Sequence, residues 1–365
     1  MSCTKLRPVS ASLITNLSRF IKDEMARYMR VLITGINGFA ASHLADEYLR
    51  EGDDEVQGTV RQHSNLSNIA HILNKIKTHY CDVTDAYAVL NVVRDGDFDV
   101  IHHLAGVTYL PFSYDNPSLT LNVNFMGTLN VLEAIRRSDS DCVLHYTSSS
   151  EVYGALDDTK ELMSEETRLN PMSPYATAKI ASENLCRNHQ LLYGAKSVIT
   201  RAFNHTSERQ AKHFFVRTVV DKGFEIKSGA TNSFALGNLM TFREYLDARD
   251  VAEAYKLAIS KPLKYGEPYN IASGTGYAGL FIVKLVSRML GIQNYDIVQS
   301  NPRRVDSPFV IGDGRKFSQA TGWSRRTYIA ETLESMIRAV DPALHPNARG
   351  MDDFFDENRS LIVQR

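Results

Sequence analysis

Cysteine is scarce in this chain. Its 365 residues hold four, Cys3, Cys81, Cys142 and Cys186, scattered without metal-type spacing or a disulfide framework. That excludes a zinc module and a disulfide-stapled scaffold, leaves no metal to expect, and points to a reducing, cytoplasmic setting. Net charge is nearly absent as well, −1 at pH 7. A chain without a basic footprint is not read as a partner of nucleic acid or of an anionic membrane. No apolar run approaches the ~20 residues that span a bilayer. Asn204-His205-Thr206 matches a glycosylation sequon, but no secretory signal accompanies it and it reads as chance.

Hydrophobic residues, by contrast, make up 43% of the chain, enough for a sheet domain plus a smaller appendage. The informative stretch is Val31-Leu32-Ile33-Thr34-Gly35-Ile36-Asn37-Gly38-Phe39-Ala40-Ala41. It reads as buried strand, tight turn and helix, the entry to a dinucleotide-binding βαβ unit. Gly35 lets the chain turn, Gly38 lets backbone N–H groups approach a pyrophosphate, and Ala41 allows close helix packing. Gly35, Asn37, Gly38, Phe39 and Ala40 are the expected cofactor-binding residues of this turn, with the anion at the helix N-terminus.

From Arg30 onward strands and helices alternate. Strands are predicted at 31–34, 55–60, 77–81, 100–104, 143–147 and 197–200, and helices at 40–50, 65–73, 86–94, 119–137 and 173–192. Such alternation implies an α/β fold, a doubly wound parallel sheet of Rossmann type, with ligands at the carboxyl ends of the strands. We divide the chain into an extension (1–28), a dinucleotide-binding domain (29–203), a smaller, mainly substrate-binding domain (204–340) interleaved with returning sheet elements, and a tail (341–365). Helices at 251–259 and 280–290 are expected in the smaller domain; the tail suggests no function. Residues 10–28 have the spacing of an amphipathic helix. A leader ahead of a fold opening at Met29 is the plainest reading, a helix packed on the body or on a partner subunit comes next, and a targeting segment is weakened by Asp23 and Glu24.

The residues after each strand carry the chemistry. After the second, Arg61 and Ser64 stand where an acidic residue would bind a ribose hydroxyl, and suit a 2′-phosphate, favouring NADP over NAD. A solvated surface arginine is the plainer alternative. After the third, Asp82 and Val83 can meet the adenine edge. After the fourth, Leu104, Ala105, Gly106 and Thr108 bring mostly small residues beside the cofactor, while His102 and His103 read as structural. After the fifth come Ser149, Ser150 and Glu151, and further on Tyr175 and Lys179 at i and i+4 share a helix face. The expectation is that the Lys179 ammonium lowers the Tyr175 phenol from ~10 toward neutrality, making it a proton acceptor. Ser149 would hold the same substrate hydroxyl, and Tyr175 and Lys179 would also border the cofactor. Alone, such a pair is more often a surface helix pair.

With these motifs the chain resembles extended short-chain dehydrogenase/reductases acting on nucleotide sugars. Within them it is most similar to GDP-mannose 4,6-dehydratases and GDP-4-keto-6-deoxymannose reductases, from about Arg30 to Val340. Matching segments include Asn124-Phe125-Met126-Gly127-Thr128-Leu129, Arg201-Ala202-Phe203-Asn204-His205, Leu236-Gly237-Asn238-Leu239, Arg303-Arg304-Val305-Asp306, Gly312-Asp313 and Thr321-Gly322-Trp323. The resemblance implies conversion of GDP-mannose to GDP-4-keto-6-deoxymannose. Tyr175 takes the proton of the sugar's 4-hydroxyl as hydride leaves C4 for NADP, and Glu151 removes the C5 proton as water departs from C6. Hydride then returns at C6. Glu151 has a plainer reading as a strand-end carboxylate bonded to backbone N–H groups.

The same resemblance assigns His205 and Arg209 to the cofactor. It assigns Ser150, Asn204, Asn238, Arg243 and Arg303 to substrate, the last three gripping the nucleotide diphosphate. It also implies a homodimer through helices 119–137 and 173–192, and leaves a tetramer open. Departures include Ser149 in place of Thr, Glu208-Arg209-Gln210 in place of Pro-Arg-Arg, Leu119 in place of Tyr, and a Gly38-Phe39-Ala40 turn of reductase style. They keep an NADPH-dependent 4-keto reductase or a 4-epimerase in view. A non-catalytic dinucleotide-binding scaffold or sensor is the reading of a different class; it has no need of Tyr175, Lys179, Ser149 and Glu151.

Overall fold

The computed structural model describes residues 29–50, 52, 54–155, 161–300, 307–346 and 351–364. The helix read over 10–28, and Arg303, lie outside the described residues. Seven parallel strands form the main sheet: β1 (Arg30–Thr34), β2 (Glu55–Val60), β3 (Lys77–Tyr80), β4 (Val100–His103), β5 (Val143–Ser149), β6 (Lys196–Ala202) and β7 (Pro268–Ile271). Their order is β7-β6-β5-β4-β1-β2-β3, so the winding reverses between β1 and β4. This is a Rossmann sheet, and that reversal opens the crevice in which such sheets bind ligands.

Apolar residues on both sides of each strand explain why the sheet is sandwiched. In β1, Val31 and Ile33 face one core and Leu32 the other, the period of two that a strand imposes. Helix α1 (Phe39–Leu49) packs on the first face, burying Leu44 and Tyr48 completely; each such apolar side chain stabilises the fold by about 1.5–3 kcal/mol. The opposite face is covered by α2 (Ala86–Gly96), α3 (Gly127–Arg137) and α4 (Pro174–Tyr193).

Helix α4 begins where its sequence says it should. Ser173 Oγ accepts a 3.0 Å hydrogen bond from Ala176 N, Pro174 takes the first turn, and Gly194 ends the helix at φ 72°. Two helical expectations are corrected. Residues 65–73 form only a 3-10 turn, Ser67–Ile72, because Asn65 and Asn68 spend their side chains on backbone groups in place of a regular helix. The predicted helix 119–137 is continuous but passes through a π-turn, Asn122–Met126, before α3.

The smaller lobe is built on α5 (Phe215–Lys227), α7 (Gly279–Leu290) and α8 (Ile329–Val340) around Phe234, Phe281 and Leu333. Between them in sequence, α6 (Ala248–Ser260) does not join this core: Val251, Ala254 and Tyr255 pack with α1 on the main sheet. The helix read over 251–259 therefore belongs with the main sheet and not with the smaller lobe. The tail is structured too. Helix Met351–Glu357 seats Phe354 in the smaller core, and strand Ile362–Gln364 pairs antiparallel with Thr275–Ala278. Among the described residues, no helix is long and apolar enough to cross a membrane and no cluster of acidic, His or Cys side chains has metal-site character.

Candidate active site

The turn after β1 is shaped by glycine. Gly35 has φ 67°, and its N–H donates to Thr59 Oγ1 at 3.0 Å. A Cβ on Gly38 would stand 3.0 Å from Gly35 O, so this cradle admits backbone and little else. Gly38 opens α1 without a side-chain cap, which leaves first-turn N–H groups for an anion. Asn37 Nδ2 donates to Asn65 O at 3.0 Å, tying the turn to the segment after β2. Phe39 stacks on His205, centroids 5.5 Å apart and planes 12° from parallel, and Ala40 follows, partly covered. The cradle fits a dinucleotide pyrophosphate.

Around it lie the other residues expected to meet a cofactor. Arg61 is exposed and Ser64 half-buried in a turn closed by Ser64 N donating to Arg61 O at 3.2 Å. Asp82 already accepts from Thr84 N and Oγ1, at 2.9 and 2.8 Å, while Val83 is buried. After β4, the N–H groups of Leu104 and Ala105 both donate to Thr34 Oγ1 at 3.1 Å. Gly106 lies against Asn124, which brackets Val107 with bonds of 2.7 and 2.9 Å; Thr108 is exposed. Asn124 was not singled out beforehand, although it stands within a matched segment.

The reactive groups gather at the end of β5. Lys179 Nζ donates to Thr147 O at 2.6 Å, which fastens α4 to the strand two residues before Ser149. Ser149 Oγ accepts from Glu151 N at 3.2 Å, and Ser150 is buried beside it. Among the described residues the Glu151 carboxylate has no hydrogen-bond or ion-pair partner, so the plainer reading of it as a backbone-bonded carboxylate finds no support.

Tyr175 requires a correction. Its phenol is not lowered by Lys179: burial pushes it up to about 12, with the Glu151 carboxylate adding to the rise and a hydrogen bond with Ser149 opposing it. Burial likewise pulls Lys179 down to about 8. The physical reason is desolvation, which disfavours phenolate and ammonium alike and is the largest cause of both shifts.

The residues expected from the family pattern are more dispersed. His205 Nδ1 bonds Phe203 O at 3.0 Å, and burial lowers its pKa. Arg209 reaches Asp46 on α1 at 2.5 Å, yet its buried Nη1 has no partner among the described residues. Asn204 O accepts from Leu246 N at 2.9 Å. Asn238 is exposed, with Oδ1 accepting from Met240 N at 3.0 Å, and Arg243 is buried with Nη1 donating to Phe242 O at 2.9 Å. A cavity of about 520 Å³ elsewhere, lined by Glu165, Asp313, Arg315, Lys316, Gln319 and Ala320, shares no residue with the site. Sequence reasoning missed the buried group Ser148, Glu183, Arg201, Tyr153 and Asn270 behind β5; a charge at i+8 from Tyr175 was the available signal.

The chain is similar to known proteins. The family model described as GDP-mannose 4,6 dehydratase matches residues 32–336. GDP-6-deoxy-D-mannose reductase of Pseudomonas aeruginosa is 30% identical over 66% of this chain and 79% of its own length. GDP-mannose 4,6 dehydratase 2 of Arabidopsis thaliana is 30% identical over 84% of this chain and 85% of its own. The solved structure of RMD from Pseudomonas aeruginosa complexed with NADPH superposes with a TM-score of 0.74 at 26% identity, covering 86% of this chain and 99% of that one.

Proposed function

This chain belongs to the GDP-mannose 4,6-dehydratase family, and from that premise we propose that it is a nucleotide-sugar 4,6-dehydratase, converting GDP-mannose to GDP-4-keto-6-deoxymannose. The observation that carries the reading is the pairing of Tyr175 and Ser149 with a Glu151 carboxylate that has no hydrogen-bond or ion-pair partner among the described residues and whose charge acts on Tyr175. Oxidation at C4 alone needs only the phenol and the serine. Elimination of water across C5 and C6 needs a second base, and Glu151 is the group available for it.

Bound along this edge, a nicotinamide dinucleotide supplies acceptance of hydride from C4 and its return at C6. The chain supplies the proton chemistry. Ser149 orients the 4-hydroxyl and its hydrogen bond favours the phenolate, Tyr175 receives the proton, and Lys179 holds its ammonium 5.7 Å from the Tyr175 ring. Glu151 takes the acidified C5 proton and passes it to the C6 hydroxyl, which departs as water, and as hydride returns at C6 the proton collected by Tyr175 goes back to C5. The turn residues Gly35, Asn37, Gly38, Phe39 and Ala40, together with His205, would hold the dinucleotide. Arg61 and Ser64 support NADP over NAD, since an exposed guanidinium near a hydroxyl suits a phosphomonoester. Asn204, Asn238 and Arg243 are the groups proposed for the sugar nucleotide diphosphate.

Exposed Leu191, Leu192 and Tyr193 on α4, with Leu119 and Met126 on the adjoining helix, support a homodimer. Free, buried Cys81, Cys142 and Cys186 support a reducing, cytoplasmic setting. A 4-keto reductase remains the second reading, favoured by Ser149 and the Gly38-Phe39-Ala40 turn. Incubation with GDP-mannose and a catalytic amount of NADP⁺ separates the two. A dehydratase accumulates 4-keto product without a reductant; a reductase does nothing until a ketosugar and NADPH are supplied.

A further inference from the structure

Glu183 stands two helical turns beyond Tyr175 on α4, so Tyr175, Lys179 and Glu183 line one stripe at i, i+4 and i+8. Its side chain is 0% exposed, a position carboxylates occupy only when paired. Arg201 of β6, itself 2% exposed, grips it with two prongs: Nε to Oε1 at 2.9 Å and Nη2 to Oε2 at 2.7 Å. Ser148 Oγ donates to Oε1 at 2.6 Å and Arg187 reaches Oε2 at 3.3 Å. From the far side of Arg201, Nη1 donates to Tyr153 OH at 3.1 Å, and Tyr153 donates to Asn270 Oδ1 at 2.6 Å. One carboxylate thus ties α4 to β5 at the residue before Ser149, and through Arg201 to Tyr153, two residues past Glu151.

We propose that Glu183 is a positioning residue of the reaction: it holds Ser149 and Glu151 in register with Tyr175 and supplies the anion that steadies the Lys179 ammonium. The proposal rests on the reading of Tyr175 and Lys179 as the proton-transfer pair. Lys179 faces the rings of Tyr146 on β5 at 5.1 Å and Tyr175 at 5.7 Å, with His103 on β4 and Cys186 on its own helix acting on it as well. Burial keeps all four neutral near pH 7. It raises Tyr146 well above its ordinary range, Tyr175 and Cys186 to about 12, and lowers His103 to about 3. Glu183 is the charge left to oppose the desolvation of Lys179, and it does oppose it.

The test uses the full chain in five variants. Glu183→Gln combined with Arg201→Gln removes both charges without stranding either. In ¹³C-lysine NMR, with the Lys179 signal assigned through Lys179→Arg, the midpoint of Lys179 in the double variant falls by about one pH unit. The alkaline limb of kcat falls with it, and KM changes little. Glu183→Asp keeps the charge and keeps the midpoint. Ser148→Ala leaves the ion pair intact and lowers kcat about tenfold through lost register, again with KM little changed.

An unmoved Lys179 midpoint in the double variant overturns the electrostatic role, and an unchanged kcat in Ser148→Ala overturns the positioning role. Tyr175→Phe is measured alongside. Turnover surviving there defeats the proton-transfer reading itself, whereas turnover lost there with wild-type behaviour in the Glu183 and Ser148 variants defeats only the role of Glu183.

Discussion

Gly35 rests directly on Ala105: a Cβ added to Gly35 would stand 3.1 Å from the Ala105 Cα. The turn after β1 and the loop after β4 therefore touch at the point where the sheet changes winding direction, and the cradle depends on there being no side chain between them.

Gly35→Ala must adopt left-handed backbone at a cost of about 1–2 kcal/mol and must also push the loop after β4. Dinucleotide affinity, followed by fluorescence titration, is expected to drop at least about tenfold while the far-ultraviolet spectrum stays native. Affinity equal to wild type would show that the cradle is not the binding surface.

Acid should destabilise the fold through its buried histidines. Tyr48, His102, His145 and Thr200 form one hydrogen-bonded chain with links of 2.7, 2.8 and 2.9 Å. Burial lowers His43 to about 4, His103 and His145 to about 3, and His102 in the same direction. Unfolded imidazoles take protons near pH 6.5, so between that value and the folded pKa values the unfolded state binds more protons. Stability is then complete above about pH 6.5 and is lost as pH falls, by up to ~1.4 kcal/mol per pH unit for each histidine. Urea midpoints at pH 7 and pH 5 check this; equal midpoints contradict it.

The tail should serve the substrate lobe. Phe354 is buried against Phe281 at 5.6 Å, and strand Ile362–Gln364 extends the sheet that carries Arg243. Phe354→Ala is expected to cost about 3 kcal/mol, read as a lower thermal midpoint. GDP-mannose affinity should weaken while dinucleotide affinity holds, because the main sheet does not lean on the tail. Equal losses of both would contradict the division of labour.

Glu151→Gln should stop elimination while leaving reversible oxidation at C4. Deuterium exchange at C5 in D₂O, measured by NMR on recovered GDP-mannose, is expected to disappear, while hydride exchange between labelled C4 and the dinucleotide persists. Loss of both together would remove Glu151 from its role at C5.

Much of this was written in the chain. The six strand positions follow from short β-branched runs bounded by turns, and the glycine turn and the Tyr175–Lys179 spacing are local signals that survive folding. What was hidden depended on long-range pairing. Helix Ala248–Ser260 is amphipathic in either lobe, and only its contact with α1 decides which core takes it. The tail that carries Phe354 and Phe355 suggests no function from sequence, and only Phe281 beside them shows where the pair packs. The acidity of Tyr175 is not legible in the spacing, which reports the neighbouring charge and not the desolvation that dominates it.

Tyr175 is the group on which the account turns. The direct test compares wild type with Tyr175→Phe at equal dinucleotide occupancy, counting 4-keto product formed from GDP-mannose under single-turnover conditions. Product formation is expected to vanish while dinucleotide and GDP-mannose binding are retained. Product formed at a wild-type rate by Tyr175→Phe would contradict it.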